Sequence, residues 1–253
     1  MPVDHFPSTH ATWIDAQLTI AEGCRAQGDS VGERAAIGSL RGYLMQRYHA
    51  PLIAYVAASS LRRVAEPEEI VAGFLADRAC RPGFLPSWRA SGLPLRRWMM
   101  TGINLYGKSI IRERSRNRLQ SANDCVEDGN ATTPEPIAPN SHETDAERAF
   151  ERAWARTVLE DAVGRVHAEL DAMGRLDDFE IFRRRVIQGV PYERIAADTG
   201  CTISRCSQAS RSVLDRLRAM LRSTLRDDGI AMADLDAAIS DVYRSFGIER
   251  RSR

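Results

Sequence analysis

Lysine is almost missing from this chain. Lys108 is the only one, so arginine carries nearly all of the positive charge. A guanidinium presents a planar fork suited to bidentate contact with phosphate or guanine. A GC-rich genome also encodes arginine freely, and composition alone does not separate the two explanations. Cysteine is sparse as well. Its five positions, Cys24, Cys80, Cys125, Cys201 and Cys206, are scattered, and no His stands near Cys201 or Cys206. That spacing excludes a zinc motif and a disulfide framework, and it leaves free thiols of a reducing cytoplasm. There is no glycine-rich phosphate loop, no nucleophile elbow and no paired metal motif. His5, His10, His49, His142 and His167 are far apart in sequence. No apolar run reaches membrane-spanning length, and no basic stretch leads into an apolar one at the start. The expectation is a soluble, cytoplasmic, non-enzymatic protein with no metal, no cofactor and no membrane association.

What is present is helical. Alternating strand patterns are nearly absent, so the expected fold class is all-α. Thr12 to Cys24 reads as one helix and Gly28 to Gly32 as a turn. Glu33 to Ser59 reads as a longer helix, with Ile37, Leu40, Leu44, Tyr48, Leu52 and Tyr55 on one face and a kink at Pro51. Pro67 suits a first helical turn, and Glu66, Glu68 and Glu69 sit where a helix dipole favours acids. Cys80 to Pro94, dense in Pro and Gly, reads as a loop. Leu95 to Arg118 reads as a basic helix broken at Gly102 or Gly107. Ser121 to Ser141 has the composition of a flexible, acidic linker. Phe150, Trp154, Val158, Ala162, Val166, Leu170 and Met173 then recur at near-helical spacing. Asp177 to Gln188 follows as a helix, and Leu235, Ile239, Val242, Tyr243 and Phe246 mark an amphipathic helix in the tail.

The near-zero net charge hides segregation: arginines cluster in each half, and acids gather at Glu66 to Glu69 and from Asp124 to Asp145. Val190 to Leu221 carries the pattern of a helix-turn-helix: a short helix, a turn at Gly200, and a longer helix with polar residues at its start. Ile195, Ala196, Ile203, Cys206, Val213 and Leu217 are expected to bury against each other. Thr202 or Ser204 can cap the second helix. Arg205, Ser207, Gln208, Arg211 and Ser212 then point outward, where base edges would lie. An ordinary helical hairpin with solvated arginines is the plain alternative. Upstream, Arg96, Arg97, Lys108, Arg112, Arg114 and Arg116 could track phosphates, while Trp98, Tyr106 and Asn104 could meet unpaired bases. The plain alternatives are that Trp98 is core and that Asn104 satisfies a buried backbone group.

Taken in order, these features resemble an extracytoplasmic-function (ECF) sigma factor of bacterial RNA polymerase. The closest likeness is to a subgroup opening Phe-Pro-Thr-Thr-His, here Phe6-Pro7-Ser8-Thr9-His10. Tyr48 to Val56, Glu66 to Ile70, Gly73-Phe74-Leu75, Leu95 to Met99 with Asn104, Phe150 to Ala155 and Pro191 to Gly200 each resemble a family motif. The tail from Leu235 to Gly247 is similar to the family's last helix. Departures stand at Cys206, Ser210 and Ser212, where Val, Leu and Arg are usual, and at Ala72, often Gln.

The resemblance implies two small helical domains. Residues 1–118 would hold an N-terminal extension and the domain for polymerase core and the minus-ten element. Residues 119–143 would be the linker, 144–226 the helix-turn-helix domain for the minus-thirty-five element, and 227–253 a helical tail. Core binding would use Glu66, Glu68, Glu69 and Phe74. Minus-ten DNA would meet Arg96, Arg97, Trp98, Asn104, Lys108, Arg112, Arg114 and Arg116. Minus-thirty-five DNA would meet Thr202, Ser204, Arg205, Ser207, Gln208, Arg211 and Ser212. The implied partners are RNA polymerase core, through its clamp helices and flap, and promoter DNA, with room for an anti-sigma factor or kinase regulator. Two other functions fit the same residues: a stand-alone helix-turn-helix regulator, and a protein-interaction adaptor derived from one.

Overall fold

The computed structural model describes residues 10–79, 81, 83–124, 142–227 and 239–240. Among them the fold is all-α: nine α-helices and three shorter helical turns, with no strand. None of these helices is long and apolar enough to cross a membrane. The chain divides into two compact units, Ala16–Trp154 and residues 10–15 together with those from Ala155 on.

Helix α1 (His10–Ala26), which enters the first unit at Ala16, ends ahead of a turn at Gly28, where φ is +74°. Asp29 then caps α2 (Ser30–Ala58), accepting from the N–H groups of Val31 at 3.1 Å and Gly32 at 3.0 Å. The expected apolar stripe of α2 is buried at Leu40, Leu44, Tyr48, Leu52 and Tyr55. The helix runs on through Pro51, which is itself buried and forgoes one rung of the hydrogen-bond ladder. A tight turn, Ser60–Arg63, leads to α3 (Pro67–Phe74), with Pro67 in its first turn as expected. A wider π-helical stretch, Leu75–Ala79, follows.

The segment read as a loop contains α4 (Phe84–Ser91). Gly83 and Gly92 bracket it in left-handed conformations, with φ of +101° and +66°. Pro86 falls in its first turn, where a missing N–H has no helical partner to lose. Helix α5 (Leu95–Asp124) is unbroken and runs into the stretch assigned to the linker. Its glycines are points of close approach. A Cβ on Gly102 would lie 3.0 Å from the Phe74 ring and 3.1 Å from that of Phe84, and one on Gly107 would run into Leu61. Phe74 meets Phe84 edge-on at 5.8 Å and Tyr106 at 6.0 Å between centroids, which ties α3, α4 and α5 together.

One boundary between the units falls inside α6 (His142–Ala172), after Trp154, and the other inside α1, after Asp15. The second unit continues with α7 (Leu176–Phe182), a π-helical stretch over Arg183–Ile187, α8 (Tyr192–Thr199) and α9 (Ile203–Asp227). Ile181, Ile195, Cys206 and Ala209 form one buried cluster of this unit, flanked by Val190, Tyr192, Ala196 and Cys201. Val213 and Leu217 are buried as expected, but Ile203 is 49% exposed because it opens α9 before the helix meets α7. The motif Phe6 to Thr9, the linker from 125 to 141, and the tail helix apart from Ile239 lie outside the described residues.

Candidate nucleic-acid interface

The turn between α8 and α9 is built as the sequence predicts. Thr199 ends α8, Gly200 takes the left-handed turn at φ +70°, and Thr202 Oγ1 accepts from the Arg205 N–H at 3.2 Å. Thr202 is therefore occupied in capping. From there one side of α9 is buried through Cys206, Ala209, Ser210 and Val213. Ser204, Gln208 and Arg211 stand exposed on another side, while Ser207 and Ser212 are half-buried. Gln208 and Arg211 are one turn apart and so address neighbouring positions on any partner surface.

Arg205 is committed elsewhere. It pairs with Asp178, a carboxylate only 1% exposed, which also accepts from Arg175 Nε at 2.8 Å. Burial alone would push the Asp178 carboxyl up, but the hydrogen bonds from Arg175 and Arg205 outweigh it and hold the group below its usual range. Arg175 also reaches the Ser212 hydroxyl at 3.5 Å. Two residues expected to face DNA, Arg205 and Ser212, thus belong to a network that fastens α9 to the start of α7. Ser210 is 1% exposed, and its buried hydroxyl has no hydrogen-bond partner among the described residues.

On α5 the cations divide into two groups. Lys108, Arg112 and Arg116 are exposed with no carboxylate partner among the described residues. Arg114 donates to the Val64 carbonyl, which pins α5 beside the turn before α3. Arg97 pairs with Glu147 at 2.9 Å, and Arg96 lies 3.6 Å from Glu151. Burial pushes the Glu151 carboxyl up, against the pull of Arg96 and Arg97. Trp98 is half-buried, its ring 5.7 Å from that of Phe84 and its Nε1 buried without a partner. The core role is the one this packing gives it.

Asn104 donates from Nδ2 to the Tyr55 hydroxyl at 3.1 Å, and Tyr55 is buried on α2. This is a structural role, but toward a side-chain hydroxyl and not the backbone group that the sequence reading named. Replacing Asn104 with Ala should remove about 1 kcal/mol. For a unit of this size that lowers the melting temperature by about 3–6 °C, measurable by circular dichroism. An unchanged melting curve would overturn this structural role.

Glu66, just before α3, and Glu68 and Glu69 in its first turn are all exposed and have no cationic partner among the described residues. Ile70, Val71 and Phe74 lie buried beneath them. Phe74 offers no surface, being 0% exposed, so its expected part in a polymerase contact is corrected to that of the core residue on which α3 rests.

Sequence reasoning missed Asp178 and Arg175, Tyr55 as the partner of Asn104, and the carboxylates of α6 that meet Arg96 and Arg97. Arg175 and Asp178 are three residues apart, but every other pairing here joins residues far apart in the chain, and no local pattern marks it. Comparison with protein-family models, curated proteins and solved structures finds no match.

Proposed function

We propose that this chain is an ECF-type sigma factor, a non-enzymatic subunit that binds RNA polymerase core and directs it to a subset of promoters. The observation that carries the reading is the exposed polar face of α9. Ser204, Gln208 and Arg211 stand clear of an apolar core that fixes α9 against α7 and α8. A second helix starting after a tight glycine turn is the arrangement that enters a major groove. Lys108, Arg112 and Arg116 of α5 supply exposed charge for a second DNA contact, and the exposed acids at the start of α3 supply a surface for a basic partner.

The test is run-off transcription with purified core polymerase on genomic fragments, together with co-purification of core. Binding of duplex DNA without any association with core would favour a stand-alone regulator. Association with proteins but not DNA would favour an adaptor.

Gln208→Ala and Arg211→Ala should each cost about 1–3 kcal/mol on the preferred upstream sequence and relax specificity there. Binding isotherms on single-base variants of the site measure this. A uniform loss across all sequences would assign these side chains to phosphates instead.

A further inference from the structure

The first stretch of α6, up to Trp154, falls within the first unit, and its polar side chains lie on the start of α5. Glu147 meets Arg97 at 2.9 Å and Glu151 lies 3.6 Å from Arg96. The Trp154 ring covers the Arg96 guanidinium at 5.0 Å and that of Arg47 at 5.9 Å. Ala146 and Phe150 are fully buried, so the segment is anchored by apolar contact. Two carboxylates and one aromatic ring are thus presented to a cluster of guanidiniums. Those are the groups that a single strand presents: successive phosphates and an unstacked base. Glu147 and Glu151 are one helical turn apart, about 5–6 Å between Cβ atoms, a spacing close to that of neighbouring backbone phosphates.

The fit is incomplete. Trp154 Nε1 and Arg96 Nε are buried without hydrogen-bond partners. The Arg97–Glu147 pair is exposed, about half on the arginine side, and is open to screening by salt. A carboxylate held this way competes poorly with a polyanion, which also gains from counterion release.

We infer that Glu147 and Glu151 of α6 act as internal phosphate mimics, masking Arg96 and Arg97 from single-stranded nucleic acid until the carboxylates are displaced. The inference rests on reading α5 as a single-strand-binding helix. It adds that the first turns of this surface are held closed by the chain itself, while Lys108, Arg112 and Arg116 further along remain open. Binding would then begin on the open cations and extend to Arg96 and Arg97 only when the acids give way.

The experiment measures fluorescence anisotropy of a short labelled single-stranded DNA oligonucleotide, titrated with the full-length chain over a series of salt concentrations. Glu147→Gln with Glu151→Gln keeps the shape and removes both charges. This double variant should bind on the order of tenfold more tightly, and its salt slope should steepen by roughly 1.4, from two further phosphate contacts on a single strand. Adding Arg96→Ala and Arg97→Ala to the same chain should return the affinity to the wild-type value. An unchanged affinity and slope in the Gln variant would overturn the inference. So would a gain that survives removal of both arginines, or no binding of the oligonucleotide by any of these chains. A melting curve of the Gln variant, expected within a few degrees of wild type because Gln keeps the side-chain volume and partly exposed ion pairs contribute about 0–1 kcal/mol, separates unmasking from unfolding. Co-purification with polymerase core is read separately. A chain that captures core but ignores loss of the acids keeps the sigma-factor reading and loses the mask, and the reverse result does the opposite.

Discussion

Reversing two charges on α3, with Glu68→Arg and Glu69→Arg together, is expected to abolish capture of RNA polymerase core. Both carboxylates are exposed and have no cation partner among the described residues, so reversing them disturbs no internal ion pair. The apolar residues beneath them, Ile70, Val71 and Phe74, are untouched by the change. Like charges brought together across a contact cost several kcal/mol, and two such reversals in one small patch exceed the binding energy of a typical micromolar complex if they compound. The competing view is that these acids serve only the dipole at the start of α3. That role is worth about 0.3–1 kcal/mol per residue and predicts a modest drop in melting temperature with core capture intact. A pull-down with purified core, scored beside a melting curve, separates the two. Full capture by the double Arg variant would remove the acidic patch from the polymerase contact.

The largest effect on stability is expected at Asp178. Its carboxylate is buried and serves both Arg175 and Arg205, so Asp178→Ala leaves two guanidiniums without their anion. Removing one partner of a fully buried pair costs about 3–5 kcal/mol. Here the two arginine side chains are 39% and 47% exposed and can turn toward water, so the cost falls to about 1–3 kcal/mol. In a unit of about a hundred residues this lowers the melting temperature by about 5–15 °C. A shift of less than a degree would show that the network contributes nothing net.

The effect should also depend on pH. Because the folded Asp178 holds its proton less tightly than the unfolded one, the network's contribution is complete above the ordinary aspartate pKa, about 3.9. It fades as pH falls from there toward the lower folded value. The melting curves of wild type and variant should therefore converge in acid and stay apart at neutral pH. Freed Arg205 should meanwhile raise non-specific DNA affinity and steepen its salt slope by about one, so stability and DNA affinity should move in opposite directions.

The α8–turn–α9 pair was legible in the sequence because its signals are local. Gly200 marks the left-handed turn, Thr202 marks the cap, and Ile195 and Cys206 mark the inward faces. The all-α class was legible for the same reason, through apolar spacing along α2 and α6. Helix α4 was missed because Gly83, Pro86 and Gly92 each signal a loop when taken alone. In the fold they supply one helix with its entry, its first turn and its exit. The break expected in α5 fails for a related reason. Gly102 and Gly107 are there for the room they leave to Phe74, Phe84 and Leu61, and the backbone stays helical through both. What the sequence could not show was which charges are already spent. Arg205 and Arg211 look alike along the chain, yet a carboxylate buried on α7 claims the first and leaves the second exposed. Arg97 and Lys108 differ in the same way.

Helix α5 places opposite constraints on its two sides. Toward α3 and the Ser60–Arg63 turn it has room for no more than a hydrogen at Gly102 and Gly107, with Met99 and Ile103 buried nearby. Thr101, Leu105, Lys108 and Arg112 form an exposed stripe on the same helix. A saturation scan of this segment would therefore show a helical rhythm of intolerance and freedom. Lineages could rewrite the stripe, and with it the ligand, while the fold beneath stayed fixed.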